Sequence, residues 1–457
     1  MNRPDIKTQR LTRAEYVQNF GCDILAPLDM KTARIEAQRC YFCHDAPCIT
    51  ACPTDIDVPG FIRKISTSNV TGAARTILSE NILGGTCARV CPVESLCEGA
   101  CVRNHAEDKP VAIGQLQKFA TDQFFALKEK TGFIKATQTG KKVAVVGAGP
   151  AGLSCAHRLS LLGHKVVIFE AKAKAGGLNE YGIAAYKMVD DFAKTEVDFI
   201  LQDGNIELKT DQQLGRNLSL RNLQIEFDAV FLAFGLAGVN DLGLKENTNE
   251  SMKNVVNAVD YIALLRQAKD LGELPVGRRV VVIGGGSTAI DIAIQSKRLG
   301  AETVTLVYRR GEDQMSATWK ERELAQKNGV LIKTWAKPSS LRGDEAGVQE
   351  VEFEYTASEK DKLVGTGEYF VLQADMVFKA IGQNLLLPQD ATCETIETAK
   401  GKIKVDEKSY HTSVPGVFAG GDCVFDKDLT VVAVRQGKKA AHSIDAFLRE
   451  QKRGKNG

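Results

Sequence analysis

The chain has 457 residues, 44% of them hydrophobic and 25% charged, which are ordinary values for a globular protein of about three domains. Its 59 Lys and Arg nearly balance its 57 Asp and Glu, which argues against the basic surface that binds nucleic acid or an anionic membrane. The start has no apolar secretory segment, and no apolar run approaches the ~18 residues that cross a bilayer, so we expect a cytoplasmic protein without nucleic-acid or membrane partners.

Eight of the twelve cysteines lie in one short stretch near the start of the chain. They follow the pattern C-x2-C-x4-C-x3-C and then C-x3-C-x5-C-x3-C, at Cys40, Cys43, Cys48, Cys52, Cys87, Cys91, Cys97 and Cys101. In a reducing cytosol such a block indicates metal ligation rather than disulfides. Structural zinc usually uses two C-x2-C pairs, and only one is present, so iron–sulfur clusters are favoured over zinc. We expect the isolated cysteines to be buried and inert: Cys22, Cys155, Cys393 and Cys423.

Two of the clustered cysteines, Cys52 and Cys91, directly precede a proline. In two-cluster ferredoxins the cysteine before proline ligates the cluster other than that of its sequence neighbours. The spacing therefore predicts two clusters that exchange a ligand.

Helices are predicted around the cysteines. One opens at Pro59 with Asp57 as its cap, and a second runs from Val70 to Asn81 before a break at Gly84-Gly85. A third carries one apolar stripe, formed by Ile113, Leu116, Ala120, Phe124 and Leu127.

Gln117 lies on the apolar stripe of the third helix. A buried amide needs a partner, so Gln117 either bonds to a backbone carbonyl or serves as a cluster ligand. The pattern leaves both interpretations open.

A polar stretch from Lys128 to Lys142 is predicted to be a linker. The strand KKVAVVG then enters a G-x-G-x-x-G turn, formed by Gly147, Ala148, Gly149, Pro150, Ala151 and Gly152. A helix extends to Leu162, and the strand HKVVIFE ends at Glu170. The glycines allow the backbone close to a pyrophosphate at the helix N-terminus, and an acidic residue at this distance binds a ribose hydroxyl. The segment predicts a dinucleotide site.

A second dinucleotide fingerprint follows the strand RRVVVIG, at Gly284, Gly285, Gly286, Ser287, Thr288 and Ala289. The next strand, TVTLVYRR, has Tyr308 where an acidic residue is usual, followed by Arg309 and Arg310. Guanidinium groups at this place suit a 2′-phosphate, so NADPH is favoured over NADH. The alternative is that both arginines are only a solvated strand end without a ligand.

The segment VPGVFAGGD, from 414 to 422, resembles the closing flavin-site segment of two-dinucleotide-domain flavoproteins and places Asp422 beside the flavin's ribityl and phosphate groups. The order of motifs predicts an α+β chain: an all-α iron–sulfur domain, then two Rossmann-like α/β domains, with the NAD(P)H domain inserted in the FAD domain. The expected boundaries are 1–135 (clusters), 136–252 (FAD, first part), 253–385 (NAD(P)H) and 386–457 (FAD, second part, and tail).

Disulfide reductases place a redox cysteine pair beside the flavin, but no C-x-x-C follows Cys101 in this chain. Electrons must leave by another route, and the clusters supply one. FAD converts a hydride into single electrons, so no general acid or base is required and we predict no catalytic side chain.

The whole chain resembles the electron-input half of dihydropyrimidine dehydrogenase and, more distantly, the small subunit of glutamate synthase. The resemblance is carried by RCYFCHDAPCITACPTDIDVPGFI, LGGTCARVCPVESLCEGAC, IGQLQKFATDQFF, GGLNEYGIAAYK and GVFAGGDCV. The length of the second cysteine segment and the L-Q-x-F around Gln117 match the pyrimidine family, whereas Tyr181-Gly182-Ile183 is closer to the glutamate synthase group.

The resemblance implies two [4Fe–4S] clusters with crossed ligands. One set is Cys40, Cys43, Cys48 and Cys101, and the other is Cys52, Cys91, Cys97 and the amide oxygen of Gln117, which leaves Cys87 without iron. The implied flavin positions are Gly147, Ala148, Gly149, Pro150, Ala151, Glu170, Gly176, Gly177, Leu178, Lys187, Gly421 and Asp422. The implied nicotinamide positions are Gly285, Gly286, Ser287, Thr288, Arg309 and Arg310. Ser287 stands where the family often has an acidic residue.

In the family, pyrimidine reduction takes place in an FMN-containing β/α barrel, which needs ~250 residues, whereas 35 residues follow Asp422 here. We therefore expect a separate FMN and iron–sulfur partner subunit that reduces uracil or thymine. The alternatives are a glutamate synthase small subunit or a related NADPH:ferredoxin-type or bifurcating flavoprotein, and a non-catalytic protein that binds or senses through flavin and clusters.

Overall fold

The computed structural model describes residues 5–21, 23–128, 133–244 and 252–454. Cys22 and residues 129–132 of the expected linker lie outside the described residues. Among the described residues, no helix combines the length and the apolar character needed to cross a membrane.

The α-helices begin and end at the following residues. They are α1 Arg13–Phe20, α2 Met30–Gln38, α3 Pro47–Thr50, α4 Val58–Ser66, α5 Val70–Glu80, α6 Gly84–Val90, α7 Val102–Glu107, α8 Ile113–Phe125, α9 Pro150–Leu161, α10 Leu178–Tyr181, α11 Phe192–Leu201, α12 Leu220–Glu226, α13 Ala258–Gln267, α14 Ser287–Arg298, α15 Trp319–Lys327 and α16 Thr430–Gly454.

The strands are shorter and are concentrated after the cysteine block. They are β1 Ile6–Lys7, β2 Lys142–Val146, β3 Lys165–Phe169, β4 Ile206–Lys209, β5 Ala229–Leu232, β6 Gly238–Val239, β7 Val255–Asn257, β8 Val276–Gly277, β9 Arg279–Ile283, β10 Thr303–Val307, β11 Val330–Lys333, β12 Ala336–Asp344, β13 Gly347–Glu359, β14 Lys362–Gln373, β15 Met376–Lys379, β16 Gln383–Asn384, β17 Thr398–Ala399, β18 Lys402–Ile403 and β19 Val417–Ala419.

The chain divides into two compact units, taken here in their described parts. The cysteine-rich unit comprises Leu25–Glu180, Asp191–Ala237 and Leu385–Gly457. The inserted unit comprises Met1–Ile24, Tyr181–Asp190 and Gly238–Asn384.

The cysteine-rich unit contains a parallel sheet in the order β19-β5-β2-β3-β4. Its central strands β2, β3 and β5 are nearly continuous apolar runs, as expected for strands covered on both faces. Helices α9 and α16 pack against each other beside this sheet. Because β19 joins β5 after almost 200 intervening residues, the fold returns to its first sheet at the end of the chain.

The inserted unit contains a second parallel sheet, in the order β11-β10-β9-β15-β7. A separate antiparallel sheet, β12-β13-β14, lies in the same unit. The first residues also belong here, since β1 pairs with β8 through Ile6 and Gly277. Tyr186 of the segment Tyr181–Asp190 is fully buried and donates a hydrogen bond to Asp291 in this unit.

A helical N-terminal region followed by two α/β dinucleotide folds confirms the predicted fold class. The two units group the first 24 residues and Tyr181–Asp190 with the inserted unit, consistent with the β1–β8 pairing and the burial of Tyr186, and they divide at residue 238 where the predicted boundary is 253. How many domains the chain forms stays a prediction.

Two local predictions in the cysteine block are wrong. Gly84 and Gly85 are not a break between helices but the first two residues of α6. Close packing requires glycine at both positions, since a Cβ on Gly84 would lie 2.4 Å from Ile77 Cγ2 and one on Gly85 would lie 2.4 Å from the Phe192 ring. Leu127 is not part of the buried stripe, because α8 ends at Phe125 and Leu127 is 39% exposed.

Other local predictions are confirmed. Asp57 caps α4 by accepting a hydrogen bond from Gly60 N, although the helix begins one residue before Pro59. Helix α5 spans Val70–Glu80 with Asn81 as its C-cap. Three of the isolated cysteines are fully buried, namely Cys155, Cys393 and Cys423.

Candidate iron–sulfur, flavin and nicotinamide sites

Four cysteines from two separated stretches line one pocket of the cysteine-rich unit, here called the first cysteine pocket. They are Cys40, Cys43, Cys48 and Cys101. Burial, together with the nearby Cys40 and Cys101 thiols, raises the pKa of Cys48 to about 12. These mutual effects show that the sulfur atoms converge, so thiolates at this place need a compensating cation.

The wall of the first cysteine pocket reaches the protein surface. Tyr41 is 53% exposed and Val102 is 39% exposed. The guanidinium of Arg103 lies over the Tyr41 ring at 4.0 Å and is itself bonded to the carbonyl of Arg39. One edge of the pocket is therefore exposed to solvent.

A second pocket of the same unit, here called the second cysteine pocket, is lined by a different set of donors. They are Cys52, Cys87, Cys91, Cys97 and Gln117. Asn81 and Cys87 on its wall are almost fully buried. Val431, at the start of α16, also lines it and packs against Cys87.

Gln117 reaches the second cysteine pocket in a defined orientation. Its Nε2 donates a hydrogen bond to Gly84 O at 2.7 Å. The amide oxygen has no donor among the residues that the structure describes. Both interpretations of Gln117 are therefore compatible with its place, because the amide bonds to a backbone carbonyl and still leaves its oxygen for the pocket.

The turn that carries Gly84 is anchored by a buried carboxylate. Glu196 on α11 accepts hydrogen bonds from Gly85 N at 2.8 Å, from Thr86 N and from the Thr86 hydroxyl. Burial raises the pKa of Glu196 to about 7, although the bonds from Thr86 lower it. Sequence reasoning missed Glu196, and the available signal was a charged residue on the apolar face of a helix.

The donor sets fit iron–sulfur clusters better than single ions. Among the described residues, no group of three or more His, Cys, Asp or Glu side chains is close enough together to hold one metal ion. The cysteine groups nevertheless line two pockets, as expected where ligands surround a multi-atom cluster rather than one ion. Each pocket offers at least three cysteines, and the second adds an amide oxygen.

The first glycine turn has the geometry of a pyrophosphate cradle. Gly147 adopts a φ of +106°, and a Cβ on it would lie 2.4 Å from Ala233 O. Gly149 caps α9, which begins at Pro150 and continues through Ala151. Glu170 follows β3 and accepts hydrogen bonds from Ala148 N at 2.8 Å and Lys172 N at 2.9 Å. The carboxylate thereby holds the turn in place.

A second glycine pair lies against this turn. Gly177 adopts a φ of +55°, and a Cβ on it would lie 2.6 Å from Gly149 Cα. Gly176 N donates to Ala148 O, while Leu178 at the start of α10 is 43% exposed. The structure therefore brings residues 147–151 and 176–178 together in one unit.

The closing segment supplies Gly421 and Asp422 from the end of β19. Gly421 N donates to the side-chain oxygen of Gln436 on α16 at 2.6 Å. Burial raises the pKa of Asp422 to about 6, with Asp428 contributing. No hydrogen-bond donor to the Asp422 carboxylate is present among the described residues. A half-buried carboxylate of this kind fits the hydroxyl group of a sugar or polyol.

The second glycine turn, in the inserted unit, is shaped by an aromatic neighbour. A Cβ on Gly285 would lie 2.4 Å from the Tyr308 ring. Gly286 caps α14, whose first residues are Ser287 and Thr288. Ser287 donates a hydrogen bond to Glu321 on α15 at 3.0 Å. A carboxylate of α15 therefore lies beside the position at which the family often has an acidic residue.

Arg309 and Arg310 follow β10 at its carboxyl end, where parallel strands place nucleotide-binding residues. Thr356 donates to Arg309 O at 2.8 Å and thereby fixes the backbone. Neither guanidinium has a hydrogen-bond or ion-pair partner among the described residues, and Arg309 is exposed. Two free cationic groups at this edge fit an additional phosphate.

Lys187 belongs to the inserted unit, whereas the residues of the first glycine turn belong to the cysteine-rich unit. Its ammonium pairs with Asp291 at 2.7 Å and with Glu321 at 3.0 Å. Burial alone would lower the pKa of Lys187, but the two carboxylates raise it above its ordinary value. Sequence analysis did not find Asp291 and Glu321, because both lie more than 100 residues from Lys187 along the chain.

Comparison with protein families covers most of the chain. Residues 141–437 match the family "Pyridine nucleotide-disulphide oxidoreductase". Residues 17–129 match the family described as dihydropyrimidine dehydrogenase domain II, 4Fe-4S cluster.

Similar proteins extend over nearly the full length. The NAD-dependent dihydropyrimidine dehydrogenase subunit PreT of Escherichia coli K12 is 36% identical over 94% of this chain and 98% of its own. The glutamate synthase [NADPH] small chain of the same organism is 33% identical over 97% of this chain and 96% of its own.

Solved structures share the fold at low identity. Mycobacterium tuberculosis FprA, in complex with NADPH, has 18% identity and a TM-score of 0.56 over 69% of this chain and 86% of its own. Thioredoxin reductase of T. acidophilum has 20% identity and a TM-score of 0.50 over 67% of this chain and 99% of its own. Taken with the family matches, the chain belongs to the pyridine nucleotide-disulphide oxidoreductases and, within them, to the NAD(P)H-dependent flavin and iron–sulfur electron-transfer subunits of the PreT and glutamate synthase small-chain type.

Proposed function

We propose that this chain oxidises NADPH and delivers the electrons to a separate FMN-containing subunit that reduces uracil or thymine to the 5,6-dihydropyrimidine. When bound, FAD would take up the hydride and two [4Fe–4S] clusters would carry single electrons onward. The observation that carries the proposal is that one unit contains both the first glycine turn and the two cysteine pockets. Each pocket combines cysteines from the first and the second cysteine segment of the sequence.

The cluster ligands follow from the two pockets. Cys40, Cys43, Cys48 and Cys101 would hold the first cluster. Cys52, Cys91, Cys97 and the oxygen of Gln117 would hold the second. Cys87 lies on the same wall as a competing donor, so the choice between Cys87 and Gln117 requires a direct test.

The flavin would be held by residues of the cysteine-rich unit. The first glycine turn and Gly176-Gly177 leave space for the pyrophosphate at the start of α9. Asp422 would accept a hydrogen bond from a flavin hydroxyl, which supplies the donor that its half-buried carboxylate lacks. Lys187, which the family resemblance implies as a flavin position, belongs to the inserted unit, where its ammonium pairs with Asp291 and Glu321.

The preference for NADPH rests on Arg309 and Arg310, which have no partner among the described residues. The names of the relatives differ on this point, since PreT is called NAD-dependent and the glutamate synthase small chain carries NADPH in its name. The free guanidinium groups favour the 2′-phosphate, and NADH stays the alternative.

The pyrimidine reaction is favoured over glutamate synthesis by the greater identity to PreT, 36% against 33%. The five-residue spacing between Cys91 and Cys97 also matches the pyrimidine family, in which this segment is longer. A glutamate synthase-type partner is the second candidate, and the same electron path would serve it.

The test uses the purified chain with and without its partner. Alone, it should oxidise NADPH with ferricyanide, with two ferricyanide ions reduced per NADPH, and should not reduce uracil. With the FMN subunit added, NADPH, a proton and uracil should give NADP⁺ and 5,6-dihydrouracil in equal amounts. Glutamate formation with a glutaminase-type partner would overturn the substrate assignment, and a bound flavin that NADPH fails to bleach would favour a sensing protein.

A further inference from the structure

Asn81 lies on the wall of the second cysteine pocket and is not one of the proposed cluster ligands. It is the C-cap residue of α5 and is fully buried. Its Nδ2 has no hydrogen-bond partner among the residues that the structure describes. A buried donor without a partner is unusual in a native protein, because its lost hydration is not replaced.

The orientation of the Asn81 amide is set by its surroundings. Its Oδ1 accepts a hydrogen bond from Leu83 N at 3.1 Å. The backbone is held as well, since Asn81 N donates to Ile77 O and Gly84 N donates to Asn81 O, both at 2.9 Å. A flipped amide would bring its NH₂ group against the Leu83 N–H, so Nδ2 is the atom left over for the pocket.

One short turn orients two pocket amides in opposite senses. Gly84 N is bonded to Asn81 O, and Gly84 O accepts from Gln117 Nε2 at 2.7 Å. The pocket is thereby offered an acceptor oxygen by Gln117 and a donor N–H by Asn81. The other polar side-chain atoms on its wall are cysteine sulfurs. Thiolate and sulfide sulfurs are hydrogen-bond acceptors.

We propose that Asn81 Nδ2 donates a hydrogen bond to a sulfur atom of the cluster in the second cysteine pocket and raises the reduction potential of that cluster. The inference rests on the proposed function, because it requires a cluster in this pocket. A reduced cluster carries one more negative charge than an oxidised one, so a donor to its sulfur stabilises the reduced state more. The inference adds a residue that tunes electron flow without ligating iron.

The test compares the midpoint potentials of both clusters in anaerobic redox titrations followed by electron paramagnetic resonance. Asn81→Leu removes the donor without adding charge. Asn81→Asp keeps the oxygen that accepts from Leu83 N and guards against a folding failure of the first variant. Asn69→Asp is the matched control, because Asn69 caps the other end of α5, is exposed and uses only its oxygen.

In Asn81→Leu we expect the equilibrium constant for reducing this cluster to fall about tenfold, which corresponds to about 59 mV for a one-electron couple. In Asn81→Asp it should fall at least as far, because a carboxylate also adds a negative charge beside the cluster. The other cluster and the Asn69→Asp protein should titrate as the wild type does. An unchanged potential in Asn81→Leu at full iron content would overturn the hydrogen bond and leave the proposed function standing. A wild type with about four irons per chain and a single cluster signal that Asn81→Leu leaves unchanged would overturn both, because the second cysteine pocket would then hold no cluster.

Discussion

The side-chain nitrogen of Gln117 and the carbonyl oxygen of Gly84 are joined by a hydrogen bond of 2.7 Å. This bond fixes which end of the amide faces the second cysteine pocket, so the oxygen is the atom available to iron. It also explains why a polar residue is tolerated on the buried stripe of α8, where Gln117 is only 8% exposed. The account of the second cluster depends on this contact.

Replacing Gln117 by Leu should therefore alter or abolish the paramagnetic signal of one cluster and leave the other unchanged. Cys87→Ala is the matched variant, because Cys87 lies on the same pocket wall and would hold no iron. It should keep about eight irons per chain, measured by iron analysis and electron paramagnetic resonance. Loss of iron in Cys87→Ala together with an unchanged Gln117→Leu protein would show that all eight clustered cysteines are ligands.

Arg309→Ala should raise the KM for NADPH by about ten- to a hundredfold and leave the KM for NADH nearly unchanged, since one charge-assisted contact contributes about 1.5–3 kcal/mol. Steady-state ferricyanide reduction with each nucleotide measures this. Arg342→Ala is the control, because Arg342 is an arginine of the same unit that pairs with Glu352 on the antiparallel sheet. Equal losses with both nucleotides, or a wild type that prefers NADH, would contradict the assignment.

Asp422→Ala should lower the amount of flavin retained per chain while the iron content stays at the wild-type level. The reason is that Asp422 is a half-buried carboxylate without a donor among the described residues. Asp428→Ala provides the comparison, since that carboxylate lies nearby but pairs with Lys402 at the surface. Absorbance spectra after gel filtration report the flavin content, and identical losses in both variants would argue against a specific role for Asp422.

Glu196 should make the stability of the protein depend on pH. Burial raises its pKa in the folded protein to about 7, above the ordinary value of about 4.3 in an unfolded chain. The favourable contribution of its protonated form is complete below about pH 4 and is lost as the pH rises through 7. Relative to Glu196→Gln, the wild type should lose stability, on the order of 1–3 kcal/mol, between pH 5.5 and 8.

The measurement is the difference in apparent thermal midpoint between wild type and Glu196→Gln at the two pH values. A difference that is the same at pH 5.5 and pH 8 would show that Glu196 does not titrate in this range. Asp375→Asn is a suitable control, because Asp375 is a fully buried carboxylate whose partner, Arg279, stays charged over this pH range.

Much of the fold could be predicted from the sequence because its signals are local. The glycine turns at 147–152 and 284–289 each sit between a short apolar strand and a helix, and the structure has the strands and helices there. The cysteine spacing, read with the family resemblance, also anticipated which cysteines share a pocket. The ligand roles themselves stay predictions.

What could not be predicted depends on contacts between distant parts of the chain. Gly84 and Gly85 look like a helix break, yet the carboxylate of Glu196, more than a hundred residues later, satisfies the first N–H groups of α6. Lys187 likewise meets Asp291 and Glu321 only after folding. Partners this distant in sequence produce no periodic pattern near the residues that they contact.

The central claim is that this chain holds one flavin and two clusters, the set of redox centres that converts a hydride into single electrons. An anaerobic reductive titration with dithionite, followed by optical absorbance and electron paramagnetic resonance, tests it most directly. The account predicts that each chain takes up about four electrons, two bleaching the flavin and one appearing in each of two distinct cluster signals. Uptake of only two electrons by a chain that shows no cluster signal would contradict the account.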